Sequence, residues 1–141
     1  MKIRRAVADD WEDLSEAIGI YAEEQTGKFG VGNTADILRA ILVQNLGHVW
    51  IMRDPADDFC GFCAWIPVMD AKTLVGAGTW VSPDLRKFGH SEEMRDAARA
   101  YWKGLGFEKV RGTCAKGNEA GMRSILAMGF ETVGFEVELS L

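Results

Sequence analysis

Arg86-Lys87-Phe88-Gly89-His90-Ser91, followed by Asn118 and, eleven residues after that, by Gly129-Phe130, is the part of the chain whose reading decides the fold. The first six residues form a basic, glycine-containing turn that runs into an amphipathic helix. Met94, Ala97, Ala98, Tyr101, Trp102 and Leu105 recur at helical spacing, while Glu92, Glu93, Arg95, Asp96, Arg99 and Lys103 fill the other face. A turn that offers backbone N–H groups and cationic side chains at a helix N-terminus suits an anion such as a pyrophosphate. Glu92 and Glu93 sit in the same first helical turn, where acidic residues favour an ordinary helix start equally well.

The periodicity extends outward from this helix in both directions. Upstream, Lys2 to Val7 reads as a strand. Asp9 with Glu12 resembles a capping box, and Trp11, Leu14, Ile18 and Tyr21 follow at helical spacing. A loop through Gly27, Gly30 and Gly32 leads to a second helix, which starts near Asn33 or Thr34, carries Ile37, Leu38, Ile41 and Leu42, and stops at Gly47. His48 to Arg53, Phe59 to Met69 and Thr73 to Val81 are apolar strand runs separated by turn residues, so a hairpin meander is expected. Downstream, Gly106 ends the long helix and Glu108 to Ala115 reads as a strand. Asn118 opens a last helix that stops before Gly129, and Glu131 to Leu139 alternates as a final strand. The order βααβββαβαβ implies an α/β (α+β) fold with a mixed, mostly antiparallel sheet and helices on both faces.

Composition narrows the class. The 141 residues, 48% apolar and 26% charged, are expected to form one domain, 1–141, with a real core. A net charge of −5 disfavours nucleic acid and acidic membranes as partners. No apolar run approaches bilayer length, and Met1 to Arg5 followed by Asp9 and Asp10 lacks the apolar core of a secretion signal, so a cytoplasmic protein is expected. Three cysteines fit free thiols better than a disulfide framework. Cys60-Gly61-Phe62-Cys63 has redox or zinc form. Zinc would need two more ligands, however, and in a regular strand the two sulfurs would face opposite ways, so no metal site is expected.

This layout resembles the GNAT superfamily of acyl-CoA-dependent N-acyltransferases over nearly the whole chain. Val81-Ser82-Pro83 stands where the family's fourth strand ends. Arg86 and Gly89 match Q/R-x-x-G-x-G/A, with Ser91 at its last position. Trp102 departs from the family's usual small residue, whereas Gly106, Asn118 and Gly129-Phe130 fall at the expected distances. The resemblance implies acetyl-CoA or another acyl-CoA as co-substrate. Its diphosphate would lie on Arg86, Lys87, Phe88, Gly89, His90 and Ser91, its pantetheine and thioester against the backbone of Trp80 and Val81, and Asn118 would stand at the mouth of the last helix. An amine, on a small molecule or a protein, would be the acceptor.

The short length and the helix pair containing Tyr21-Ala22-Glu23-Glu24 are also similar to small phage-encoded members, which admits a virion-associated location and a homo-oligomer or virion partner. The family's usual acid, a Tyr seven residues after the Asn, is absent because that position is Ile125. Ser124 is a poor acid, Tyr101 lies on an apolar stripe, and Glu23 and Glu24 are the remaining candidates for a base. The catalytic residues are therefore unassigned. The alternative is a GNAT-fold binding or structural module without catalysis, for example a virion or regulatory protein.

Overall fold

The computed structural model describes residues 1–29, 34–68, 72–114, 117–134, 137 and 139–141. Apart from short 3-10 turns, the elements run β1 (Lys2–Arg5), α1 (Trp11–Phe29), α2 (Thr34–Gln44), β2 (Val49–Arg53), β3 (Phe59–Pro67), β4 (Thr73–Val81), α3 (His90–Gly104), β5 (Lys109–Arg111) and α4 (Glu119–Ala127). The strands form one sheet in chain order. Neighbours are antiparallel except β4 and β5, which are parallel and joined through α3. The expected mixed, mostly antiparallel sheet is therefore present.

Alternation along the strands builds a core on each face. Val49, Ile51, Phe62, Ala64 and Trp80 meet Leu14, Ile18, Leu38 and Leu42 of α1 and α2. On the opposite face Trp50, Met52, Cys63, Trp65 and Leu74 meet Met94, Ala98 and Trp102 of α3. Trp102 takes a place the family usually gives to a small residue. It packs edge-on against Trp65, with centroids 5.0 Å apart, and is only 2% exposed.

Several boundaries differ from the sequence reading. Helix α1 runs across Gly27, because one glycine inside a helix costs only about 1 kcal/mol and does not by itself stop it. Gly30 and Gly32 lie outside the described residues. Helix α2 ends at Gln44 rather than Gly47, where Asn45 turns its amide back to the Ile41 carbonyl (3.2 Å) and a 3-10 turn follows. His48, placed at the start of a strand run by the sequence, closes the 3-10 turn before β2. Its Nδ1 is buried without a partner among the described residues, its ring meets Phe107 edge-on, and burial and then Arg5 push its pKa down, which keeps it neutral.

The Cys60–Cys63 pair also departs from expectation. The β2–β3 register slips between Met52 and Arg53, so β3 holds an extra residue at Cys60. That bulge reverses the alternation, and both cysteines join the α3-side core. Burial raises both thiols, Cys63 to about 11, and leaves them protonated.

The expected final strand is not formed by the described residues of 131–139, and residues 135, 136 and 138 of that run lie outside them. Val133, Val137 and Leu139 are more than 80% exposed. Strand β5 spans only Lys109–Arg111, shorter than the expected run from Glu108 to Ala115, and offers too little edge for an alternating segment to pair along. Ala115 lies outside the described residues.

Candidate active site

Strand β4 has one paired edge and one largely open edge. It pairs with β3 along its length, but with β5 only from Thr73 to Val75. The β3–β4 register is irregular between Ala64 and Trp65, whose partners Gly78 and Gly76 skip Ala77. The extra residue, Ala77, makes a bulge in β4 between Gly76 and Gly78. From Gly76 to Val81, no strand among the described residues covers the second edge. Ser82 N–H bonds to the Cys60 carbonyl of β3 (2.8 Å), so by alternation Val81 turns its own polar groups toward the open side. Arg86 confirms that direction, since its Nε donates to the Val81 carbonyl at 2.8 Å.

The turn after β4 depends on two left-handed residues, Lys87 (φ 71°) and Gly89 (φ 80°). Gly89 is the N-cap of α3, and no side chain caps that end. The first bond of the helix runs from Glu93 N–H to the Gly89 carbonyl (3.0 Å), which leaves the amides of His90, Ser91 and Glu92 without intrahelical acceptors. A Cβ built on Gly89 would meet no atom within 4 Å. That side of the turn is open.

The side chains around the turn divide into engaged and available groups. Arg86 Nη2 reaches across to Glu24 in the C-terminal half of α1 and donates to both carboxylate oxygens (2.8 and 2.9 Å). Glu24, a sequence candidate for the base, is thus tied to a guanidinium, while Glu23 is exposed. Lys87 makes no ion pair among the described residues, Phe88 is 71% exposed, and His90 Nδ1 lies 3.4 Å from Glu93. Burial works against the Glu92 carboxylate. Its own backbone N–H, the hydroxyls of Ser124 (2.9 Å) and Ser91 (3.1 Å), and Arg95 nevertheless bring its pKa below the usual value.

Asn118 caps α4 as expected, its Oδ1 accepting from Gly121 N–H at 3.0 Å. That leaves its Nδ2 for other use. Trp80 and Trp65 are buried in the two cores rather than lining an open pocket. Tyr101 also belongs to the packing: its hydroxyl accepts from Arg5 (2.6 Å) and its ring meets Trp50 edge-on. Ser124 is committed to Glu92, and Ile125 has nothing to donate.

Two features escaped the sequence reading. The Arg86–Glu24 pair joins residues 62 positions apart, a distance at which no local spacing gives a signal. Tyr21, read as one more apolar helix position, lies on the bulged strand: a Cβ on Gly78 would sit 3.3 Å from its Cε1.

A mixed sheet with a half-open fourth strand, ending in a glycine turn that no side chain caps, combines a helix end suited to an anion with a strand edge suited to an extended chain. The family model for the acetyltransferase (GNAT) domain matches residues 1–131, and the chain belongs to that family. It is a GNAT-type N-acyltransferase.

Solved structures show the same fold. A probable acetyltransferase aligns at 17% identity and TM-score 0.77, over 100% of this chain and 97% of its own. A GNAT-family acetyltransferase from Listeria monocytogenes aligns at 18% identity and TM-score 0.74, over 96% and 88%. The aminoglycoside N-acetyltransferase AAC(6')-Iy, in complex with CoA, aligns at 14% and 0.73, over 99% and 98%. No curated protein matches the chain.

Proposed function

We propose that the 141 residues act as one domain that moves an acyl group, most simply acetyl, from acyl-CoA to an amine. The observation that carries this reading is the left-handed turn at Gly89, which no side chain caps, with the amides of His90 and Ser91 free of intrahelical acceptors, beside the edge of β4 that no described strand covers beyond Val75. In this reading the amides from Phe88 to Ser91 hold the diphosphate, and the α3 dipole, Lys87 and His90 add positive potential. The pantetheine lies along Trp80 and Val81, and Asn118 stands at the start of α4. Arg86 acts from the side, fixed between Glu24 and the Val81 carbonyl.

The acyl group passes directly to the amine. Cys60 and Cys63 are buried and held protonated, and the Cys114 thiol is directed at the Asn118 carbonyl (3.5 Å), so none is set as a nucleophile for an acyl-enzyme. Amides that turn toward the bare edge of β4 polarise the thioester carbonyl.

Titration with acetyl-CoA, followed by thermal denaturation, tests the reading: ligand at 100 times its dissociation constant adds about 2.7 kcal/mol. Thiol release against polyamines, aminoglycosides and peptides then identifies the acceptor. No thermal shift at millimolar acetyl-CoA would replace this reading with that of a non-catalytic GNAT-fold module.

A further inference from the structure

Acyl transfer from a thioester needs a proton for the departing sulfur. Helix α4 supplies none, because Ile125 has no acidic hydrogen and the Ser124 hydroxyl is directed at Glu92. The chain holds only two tyrosines. Tyr101 is engaged with Arg5 and packs against Trp50. The other is Tyr21.

Tyr21 projects from α1 onto the part of β4 that β5 leaves uncovered. Its Cζ lies 3.5 Å from the position a Gly78 Cβ would take, and the hydroxyl stands one bond beyond that atom. Gly78 neighbours Thr79, which shares with Val81 the alternation that turns backbone groups to the open edge. The ring is held by Phe62, fully buried, edge-on at 5.9 Å and 80°. Glycine at 78 is what admits the ring so close to the strand. The hydroxyl bonds to no described residue, and burial raises its pKa, which keeps the phenol protonated at neutral pH.

We propose that Tyr21 is the general acid of this enzyme and protonates the sulfur as it leaves. This rests on the acyl-transfer reading above. The amine lone pair forms the N–C bond, and the C–S bond breaks with its electrons going to sulfur. Sulfur takes the Tyr21 proton, and the tyrosinate regains one from the new ammonium nitrogen through water. Amine and thioester become amide and thiol, and the phenol is restored.

The test compares the full chain with Tyr21→Phe, which keeps the ring, and with Tyr101→Phe as a control. Three quantities are read: the thermal shift with acetyl-CoA, thiol release to the amine panel and to water, and the pH dependence of that release. Tyr21→Phe should keep the thermal shift and release thiol about 10²- to 10⁴-fold more slowly. It should also lose the descending alkaline limb of the wild-type profile, whereas Tyr101→Phe leaves rate and profile unchanged.

A Tyr21→Phe rate within twofold of wild type, or an unaltered alkaline limb, overturns the proposal. So does a wild-type protein that binds acetyl-CoA yet releases no thiol to water or any amine. Failure of the wild type to bind acetyl-CoA is a separate result, which removes the acyl-transfer reading itself.

Discussion

Replacing Asp10 by asparagine tests whether the first strand and first helix are held by charge. The Asp10 residue is 2% exposed. It accepts two bonds from Arg4 (2.7 and 2.9 Å), one from Val7 N–H (2.8 Å) and one from Arg53 (3.1 Å). Arg4 chiefly, opposed by burial and aided by Val7 N–H and Arg53, lowers its pKa from 3.8 to about 2. At about 1.4 kcal/mol per unit, that depression corresponds to about 2–3 kcal/mol of stability at neutral pH. Asparagine keeps the shape but removes the charge that Arg4 and Arg53 face, so Asp10→Asn should cost about 2–4 kcal/mol at pH 7. In a chain of this size that is a fall of about 6–12 °C in Tm.

The pH dependence carries the sign. A carboxylate depressed on folding stabilises above its unfolded pKa, and that contribution disappears as pH falls through the folded value. The gap between wild type and Asp10→Asn should therefore be full above about pH 4 and close toward pH 2. Thermal melts from pH 7 to 2 read it directly, and other acidic groups cancel in the difference. No gap at pH 7, or one that stays constant down to pH 2, would refute the reasoning.

Other substitutions address the site and its support. Gly89→Ala should cost about 1–2 kcal/mol of stability, because its φ of 80° strains any residue with a Cβ. It should also weaken acetyl-CoA binding, as calorimetry would show, since a turn that relaxes from this φ re-aims the amides that follow it. Glu24→Gln removes an anion from beside the turn and releases Arg86, so acetyl-CoA should bind several-fold more tightly, with the gain shrinking at high salt. The pair's partial exposure limits the stability loss to about 1 kcal/mol or less, measurable by urea denaturation. Trp102→Ala should lose about 3–5 kcal/mol by emptying the packing against Trp65. In the native protein a thiol reagent should label Cys114, which is half-buried, well before the buried Cys60 and Cys63.

The elements most legible in the sequence are those whose determinants are local. The stripe through Met94, Ala98 and Trp102 appears as the buried face of α3. Strand β4 spans Thr73 to Val81 as its apolar run implies, and Asn118 caps α4 through Gly121, three residues on. The turn at Gly89 is readable because a glycine before a helix with no capping side chain is a local statement about φ. What escaped is decided by pairing between distant segments. The slip that brings Cys60 and Cys63 to one face belongs to the β2–β3 ladder, and neither strand alone encodes it. Asp10 meets Arg53 from 43 positions away, and Glu24 meets Arg86 from 62. The alternation of Glu131 to Leu139 forms no strand among its described residues, since a strand needs a partner edge as well as a pattern, and β5 is three residues long.

The same distinction bears on the site. In the proposed reading the turn takes the phosphates and the edge of β4 that no described strand covers takes the extended chain, and Arg86 is the side chain that joins them. Its Nε holds the carbonyl of Val81 while its Nη2 holds Glu24 of α1. A guanidinium can serve both at once because its donors are fixed in a plane, whereas lysine would place a single point of charge between them. Arg86→Lys should therefore keep the charge yet loosen α1 from the end of β4. Since α1 also carries Tyr21 onto Gly78, thiol release should fall while acetyl-CoA affinity changes little. An Arg86→Lys variant with weakened affinity and an unchanged rate would instead show that the guanidinium binds phosphate and that α1 is held by its core contacts alone.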